Sequence, residues 1–302
     1  MLVLSVRAVL KAAIKDENVQ SVFAKILLNH IQMISITASF DMDWPESVKM
    51  IFAFAAPVKD LTDAIVQFDC FMDRRDPELV DPYKYYNDPE DLRVVYQKMI
   101  LYAAMPILLA IICFIAWAAI AKIYKYSKEA RFQRFIATLV FLLFYIHPVL
   151  TTSLMDMFDC SVYDGDVRLV SDLQVLCYKD PWHNTIALYV ALPCLILWGL
   201  GIPLGVFVLM RKDYPMIHTQ EVKQKFGFLF NGYKTHNYFW EIVIMYRKIA
   251  CIFIAVFLKR VGIIVQALVL IILLIGFLQA NTSRRPFKAR QLNDIENMSL
   301  AT

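Results

Sequence analysis

Three charged residues stand where charge is costly: Glu241, Arg247 and Lys248 all fall within the apolar stretch 238–258. An ionised side chain inside hydrocarbon must pair, reach a headgroup or line water, so such residues mark ion paths, relays or packing seams. Arg247 and Lys248 lie about two turns inside that stretch, and Glu241 or a lipid phosphate would relieve their cost. A second polar set lies on the stretch 24–42. There Asn29, Gln32, Ser35 and Ser39 recur at three- and four-residue steps and share one helix face. With Gln266 of a later apolar run, they are the candidates for a pore-lining file. Interhelical hydrogen bonding is the plainer use of the same groups. Asp156, Asp159, Asp164 and Asp166 crowd one connection. They form either an outer mouth that concentrates cations or simply a solvated loop.

Enzyme chemistry is not expected. The chain carries no P-loop, dinucleotide fingerprint, HExxH or GxSxG, and its five histidines are scattered without metal-ligand spacing. Asp164-Gly165-Asp166 has the start of a calcium loop, but the bidentate acid that should follow is missing. No cofactor, metal or nucleic-acid partner is implied. A potassium filter would show TVGYG, and a voltage sensor several arginines at helical spacing; neither occurs.

The elements that hold these residues are long and apolar. Of 302 residues 59% are hydrophobic and 19% charged, and the charges lie between apolar blocks. A helix needs about 20 apolar residues to cross a bilayer. The stretches 99–121, 185–210 and 261–278 carry no charge at all, and 135–155 qualifies despite His147 and Pro148. Stretches 24–42 and 238–258 are weaker because of Lys25 and Asp41 in the first and the three charges in the second. The expected fold is an all-α, polytopic integral membrane protein with about six transmembrane helices in a single domain, and 43–98 as its large outer loop. Its first partner is the lipid bilayer.

If all six cross, the connections alternate sides. Residues 1–25, 122–134, 211–237 and 281–302 hold 18 Lys and Arg against 7 Asp and Glu. Residues 43–98, 156–184 and the Lys259–Arg260 hairpin hold 11 against 18. Basic residues of short loops stay cytoplasmic, so both termini are expected there, in the plasma membrane or an endomembrane. Lys259 and Arg260 are the exception. This orientation places Cys70, Cys160 and Cys177 on the oxidising face, where Cys160 and Cys177, 17 positions apart, are the disulfide candidate and Cys70 is left over.

Met1–Lys15 spaces apolar residues along one face and Arg7, Lys11 and Lys15 along the other, as a basic helix on the inner leaflet would. Val48–Phe68 reads as an outer-interface helix broken at Pro57, followed by Asp-Pro turns at 76, 81 and 88. Pro106, Pro148, Pro193 and Pro203 fall within spans and predict kinks.

The run Lys225-Phe-Gly-Phe-Leu-Phe-Asn-Gly-Tyr233, then Trp240-Glu241, Tyr246-Arg247-Lys248, Gln266-Ala267-Leu268 and Arg285-Pro286-Phe287, resembles the C-terminal membrane region of TRP-like proteins. The likeness is to the fungal TRP-like group and to the multi-span tails of large cysteine-rich modular proteins of ciliates and other protists. Leu28-Asn-His-Ile-Gln32, Phe40-Asp-Met-Asp-Trp-Pro45, Asp69-Cys70-Phe71 and Asp159-Cys160 with Asp172 and Cys177 fit the same pattern, so the resemblance covers roughly 20–297. It implies a TRP-like membrane protein that is a cation channel or a sensing component of one. Cations and further copies of the chain are the partners to test, since the sequence does not fix the oligomeric state. The alternative is a non-conducting membrane anchor or receptor tail for assembly or adhesion.

Overall fold

The computed structural model of the chain describes residues 19–40, 42–53 and 93–301. The expected Met1–Lys15 helix, Pro57, Cys70 and the Asp-Pro turns lie outside the described residues. Eight helices are used below: α1 (Val19–Ala38), α2 (Val94–Tyr124), α3 (Lys128–Asp156), α4 (Pro181–Lys212), α5 (Gln220–Phe230), α6 (Trp240–Phe257), α7 (Ile263–Arg284) and α8 (Arg290–Ala301). Residues 46–53 add a short helical stretch after Trp44-Pro45.

Five of these helices, α1, α2, α3, α4 and α7, are long and apolar enough to cross a membrane, which fits an integral membrane location. On α2, Ile107, Ile111 and Ile115 are exposed, as are Ile264, Ile271 and Ile275 on α7. Such apolar surface belongs against hydrocarbon, not water. Helix α6 differs in kind. It has 18 residues, about 27 Å at 1.5 Å per residue, but it carries three charges and is the best-covered helix of the bundle.

Two ends of the bundle can be told apart. At one end the connection between α3 and α4 folds into strands β1 (Cys160–Tyr163), β2 (Asp166–Leu169) and β3 (Asp172–Leu176), an antiparallel sheet in the order β1-β2-β3. This small sheet is an addition to the expected all-helical fold. The two-residue turn Asp164-Gly165 joins β1 to β2 with both residues at positive φ, the conformation that suits the strand twist. Cys160 and Cys177 are disulfide-bonded beneath the sheet, and both are buried against Leu154, Leu169 and Val175. Arg93, just before α2, reaches Asp172 at 3.2 Å, and Arg260, just after α6, reaches the Phe158 carbonyl at 3.4 Å. At the other end α8 folds back against α1 and α7. An antiparallel bridge joins Tyr233 to Phe287, with Lys234 N donating to the Pro286 carbonyl and Lys288 N to that of Gly232.

The prolines shape the middle of the bundle. A proline cannot donate to the carbonyl four residues back and opens the preceding turn, so those carbonyls need other donors in an apolar medium. Neighbouring helices provide them. His147 Nε2 lies 2.9 Å from the Gly199 carbonyl, four residues before Pro203. Gln32 Nε2 donates to the Tyr145 carbonyl, three before Pro148, and Trp198 Nε1 to the Ala103 carbonyl, three before Pro106. Around Pro193 and Pro203 the ladder of α4 widens into two π stretches, Ala187–Ala191 and Leu195–Leu200, which accommodate the missing donors by adding a residue to the turn.

Candidate functional site

The charges of α1 and α6 gather at the terminal-helix end, between α1, α5, α6 and α8. Glu241 sits in the first turn of α6, where the helix dipole favours an anion, and it is fully buried. Its carboxylate accepts from Lys25 Nζ at 2.9 Å, from Asn29 Nδ2 at 3.0 Å and from the Tyr233 hydroxyl at 2.8 Å. Lys25 also donates to the carbonyls of Phe228 and Leu229 at 3.3 Å, the final turn of α5. Those carbonyls have no partner within their own helix, so a cation belongs there. The ammonium lies 4.3 Å from the Tyr233 ring centroid as well. Burial first, then the Glu241 and Glu296 carboxylates, push the Tyr233 phenol well above its usual range, so it acts as a neutral donor.

Lys248, two turns further along α6, bonds to no carboxylate among the described residues. Its ammonium donates to Asn29 Oδ1 at 2.6 Å and Gln32 Oε1 at 2.5 Å and lies 4.6 Å from the Phe144 ring centroid. Arg247 turns the other way and meets Glu296 of α8 at 3.1 Å through one nitrogen; its Nε and the second Glu296 oxygen have no partner among the described residues. The direct ion pair of Glu241 is thus with Lys25, whereas Arg247 bonds to Glu296 and Lys248 to the two amides, and both α6 cations are buried.

The other expected site residues separate into groups. Asn29 and Gln32 are buried in the network just described, whereas Ser39 is exposed and donates to the Ile36 carbonyl of its own helix. Gln266 is buried between α6 and α7 and donates to the Ile254 and Ala255 carbonyls, far from the α1 stripe in its bonding. A cavity of about 440 Å³ runs from Gln32 past Ser35, Ser39 and Thr152 to Asp156 and Asp159 at the hairpin end. Asp164 and Asp166 stand apart from it on the β1–β2 turn, where Asp166 pairs with Lys179 at 3.0 Å and Arg168 at 3.6 Å. The four acids thus divide into two at the cavity and two on the turn.

Cys160, Cys177 and His183 bring their ligand atoms within 4.8 Å of one another. With the two sulfurs bonded to each other, His183 serves the backbone instead. Its Nδ1 accepts from Tyr178 N and its Nε2 donates to the Met157 carbonyl.

Sequence reasoning did not bring Lys25, Tyr233 or Glu296 into the site. For Lys25 a signal existed, because Lys25, Asn29 and Gln32 follow one another at four- and three-residue steps on one face. For Glu296 none did, since α8 is polar along most of its length.

No protein-family model matches this chain, and no solved structure does. A cysteine repeat modular protein A from Toxoplasma gondii is 25% identical over 180 residues, a match covering 53% of this chain and 6% of that protein. The chain thus corresponds to a small part of that relative's length. This loosely fits the likeness to membrane tails of cysteine-rich modular proteins.

Proposed function

We propose that this chain is a six-span membrane module whose polar interior is a locked packing seam, and that it serves as a non-conducting anchor for modular protein architecture. The observation that carries this is the Lys248 ammonium, which engages both Asn29 and Gln32. Those two amides are the groups a pore along α1 would have to expose to water. The sixth span is α6. Its first turn bonds to Lys25 and Tyr233 at the terminal-helix end, while Arg260 just beyond it reaches Phe158 at the hairpin end. The 18-to-7 against 11-to-18 split of charges favours the hairpin outside and both termini in the cytoplasm. Reporters after Lys128 and Thr302 should then share a side, with one near Asp166 opposite.

The cavity favours a second reading, a TRP-like cation path held shut by Lys248, and one set of experiments separates the two. Under the anchor reading, the unmodified chain in liposomes passes no cations. Ser35→Cys reacts with a small water-soluble thiol reagent, whereas Asn29→Cys stays protected. Cation flux through the unmodified chain would replace the anchor with the channel.

A further inference from the structure

An apolar groove of about 470 Å³ lies on the outer surface of the bundle where α2, α3 and α4 meet. It is walled on α2 by Ile107, Ile111 and Phe114 and on α3 by Phe135, Leu139 and Leu143, with almost no polar surface inside. The α3 wall is an every-fourth-residue stripe that runs about 12 Å along the helix, most of the roughly 15 Å depth of one leaflet's hydrocarbon.

The same stripe continues one turn further, to Arg131. The opposite wall behaves alike. Eleven residues, close to three full turns, separate Ile111 from Lys122 and return it to the same face of α2. Both walls therefore end in a basic residue at the same end, beside the α2–α3 turn that also bears Lys125 and Lys128. Arg134, the nearest competitor, is occupied: its guanidinium stacks 3.9 Å from the Tyr126 ring centroid. Arg131 is half-buried, and no carboxylate among the described residues bonds to it.

We propose that this groove is a binding site for one anionic glycerophospholipid, with an acyl chain lying along Ile111, Phe114, Leu139 and Leu143 and the phosphate held by Arg131 and Lys122. Apolar walls select a chain, and the paired basic residues select the charge of the headgroup. Arg131, with its planar fork, suits a phosphate better than a point charge does. A zwitterionic lipid would fill the groove equally well but gain less at its mouth, because its own cation offsets the phosphate.

Native mass spectrometry of the full chain, released from nanodiscs of equal phosphatidylglycerol and phosphatidylcholine, tests this directly. The unmodified chain should retain one lipid more firmly than the rest, with phosphatidylglycerol favoured roughly 30-fold, the factor that two basic contacts near a membrane surface contribute. Arg131→Gln should keep a retained lipid but lower the preference to roughly five-fold, and Arg131→Gln with Lys122→Gln should bring it close to one. Lys212→Gln, a basic residue at the same end on α4, should leave it unchanged. Ala110→Phe, which fills the groove, should remove the retained lipid of either class. Ile111→Trp does the same from a half-exposed position where folding is undisturbed. Equal retention of the two lipids by the unmodified chain overturns the proposal, as does a preference that both Arg131→Gln and Ile111→Trp leave undiminished, or one that Lys212→Gln abolishes. None of these outcomes depends on whether the module conducts.

Discussion

Along α1, the half nearest the terminal helix is closed by charge, whereas the half nearest the hairpin borders a cavity. Lys25, Asn29 and Gln32 are all bonded to groups on α6 or its approaches, while Ser35 and Ser39 face the 440 Å³ space. The stripe itself does not explain this, since all five residues are polar and share a face. The difference lies in α6. Its first nine residues contain Glu241, Arg247 and Lys248, and the rest, Ile249 to Phe257, are uncharged. Near Ser35 and Ser39, α6 offers only Ile252, Ala255 and Val256. A polar stripe on one membrane helix thus becomes a seam or a cavity wall according to the helix it meets.

The largest expected effect comes from breaking the closed half. Glu241→Leu leaves Lys25 buried without its anion and Tyr233 and Asn29 without an acceptor. Removing one partner of a buried pair costs about 3–5 kcal/mol. Thr152→Ala in the cavity wall should cost under about 1 kcal/mol. Chemical unfolding in mixed micelles measures both, and equal losses would erase the distinction between the halves.

Next is the covalent brace of the open half. Cys160→Ser with Cys177→Ser releases a 17-residue separation, worth about 3 kcal/mol by loop entropy. Hydrogen exchange should rise across 160–176 and stay unchanged across 240–248. Loss of protection in both segments would mean that the two halves unfold as one unit.

A smaller effect returns to the closed half. Gly232 has φ +89°, and a Cβ there would come within 2.6 Å of the Val22 side chain. Gly232→Ala should cost about 2 kcal/mol, combining the left-handed backbone with overpacking. Adding Val22→Ala should recover the steric share only; full recovery would show that the backbone conformation matters little.

Much of this fold is legible in the sequence. Helices α2, α3, α4 and α7 are announced by long charge-free runs, because hydrocarbon demands them. Their ends are less so. Helix α4 begins at Pro181, four residues before the expected 185, because Asp180 accepts from Trp182 N as a cap and proline suits the first helical position. That signal was present, as was the Asp164-Gly165 pair, a hairpin turn that comparison with a calcium loop obscures. The disulfide followed from topology and spacing. The partners of Lys248 did not, for Asn29 and Gln32 lie more than 200 positions away and any of several helices had an equal claim on them. Periodicity shows which residues share a face; only packing shows what that face meets.

The smallest expected effect distinguishes acids within the open half, by the sign of its pH dependence. Asp166 is on the exposed turn, where the hydrogen bond and charge of Lys179 draw its pKa below the ordinary 3.8. Its contribution is therefore present above 3.8 and lost as the pH falls through the lower, folded value. Asp159 faces the cavity. Burial raises its pKa above 3.8, and Lys259 and Arg260 only partly oppose this. Its contribution is present below 3.8 and lost as the pH rises through the folded value. Asp166→Asn should thus weaken the hairpin slightly at neutral pH, whereas Asp159→Asn should strengthen it slightly there and remove the gain on acidification. Melting curves of the two variants between pH 3 and 7 would show opposite slopes relative to the unmodified chain. Parallel slopes would mean that Lys259 and Arg260 outweigh burial at Asp159, and that the cavity mouth is as well solvated as the turn.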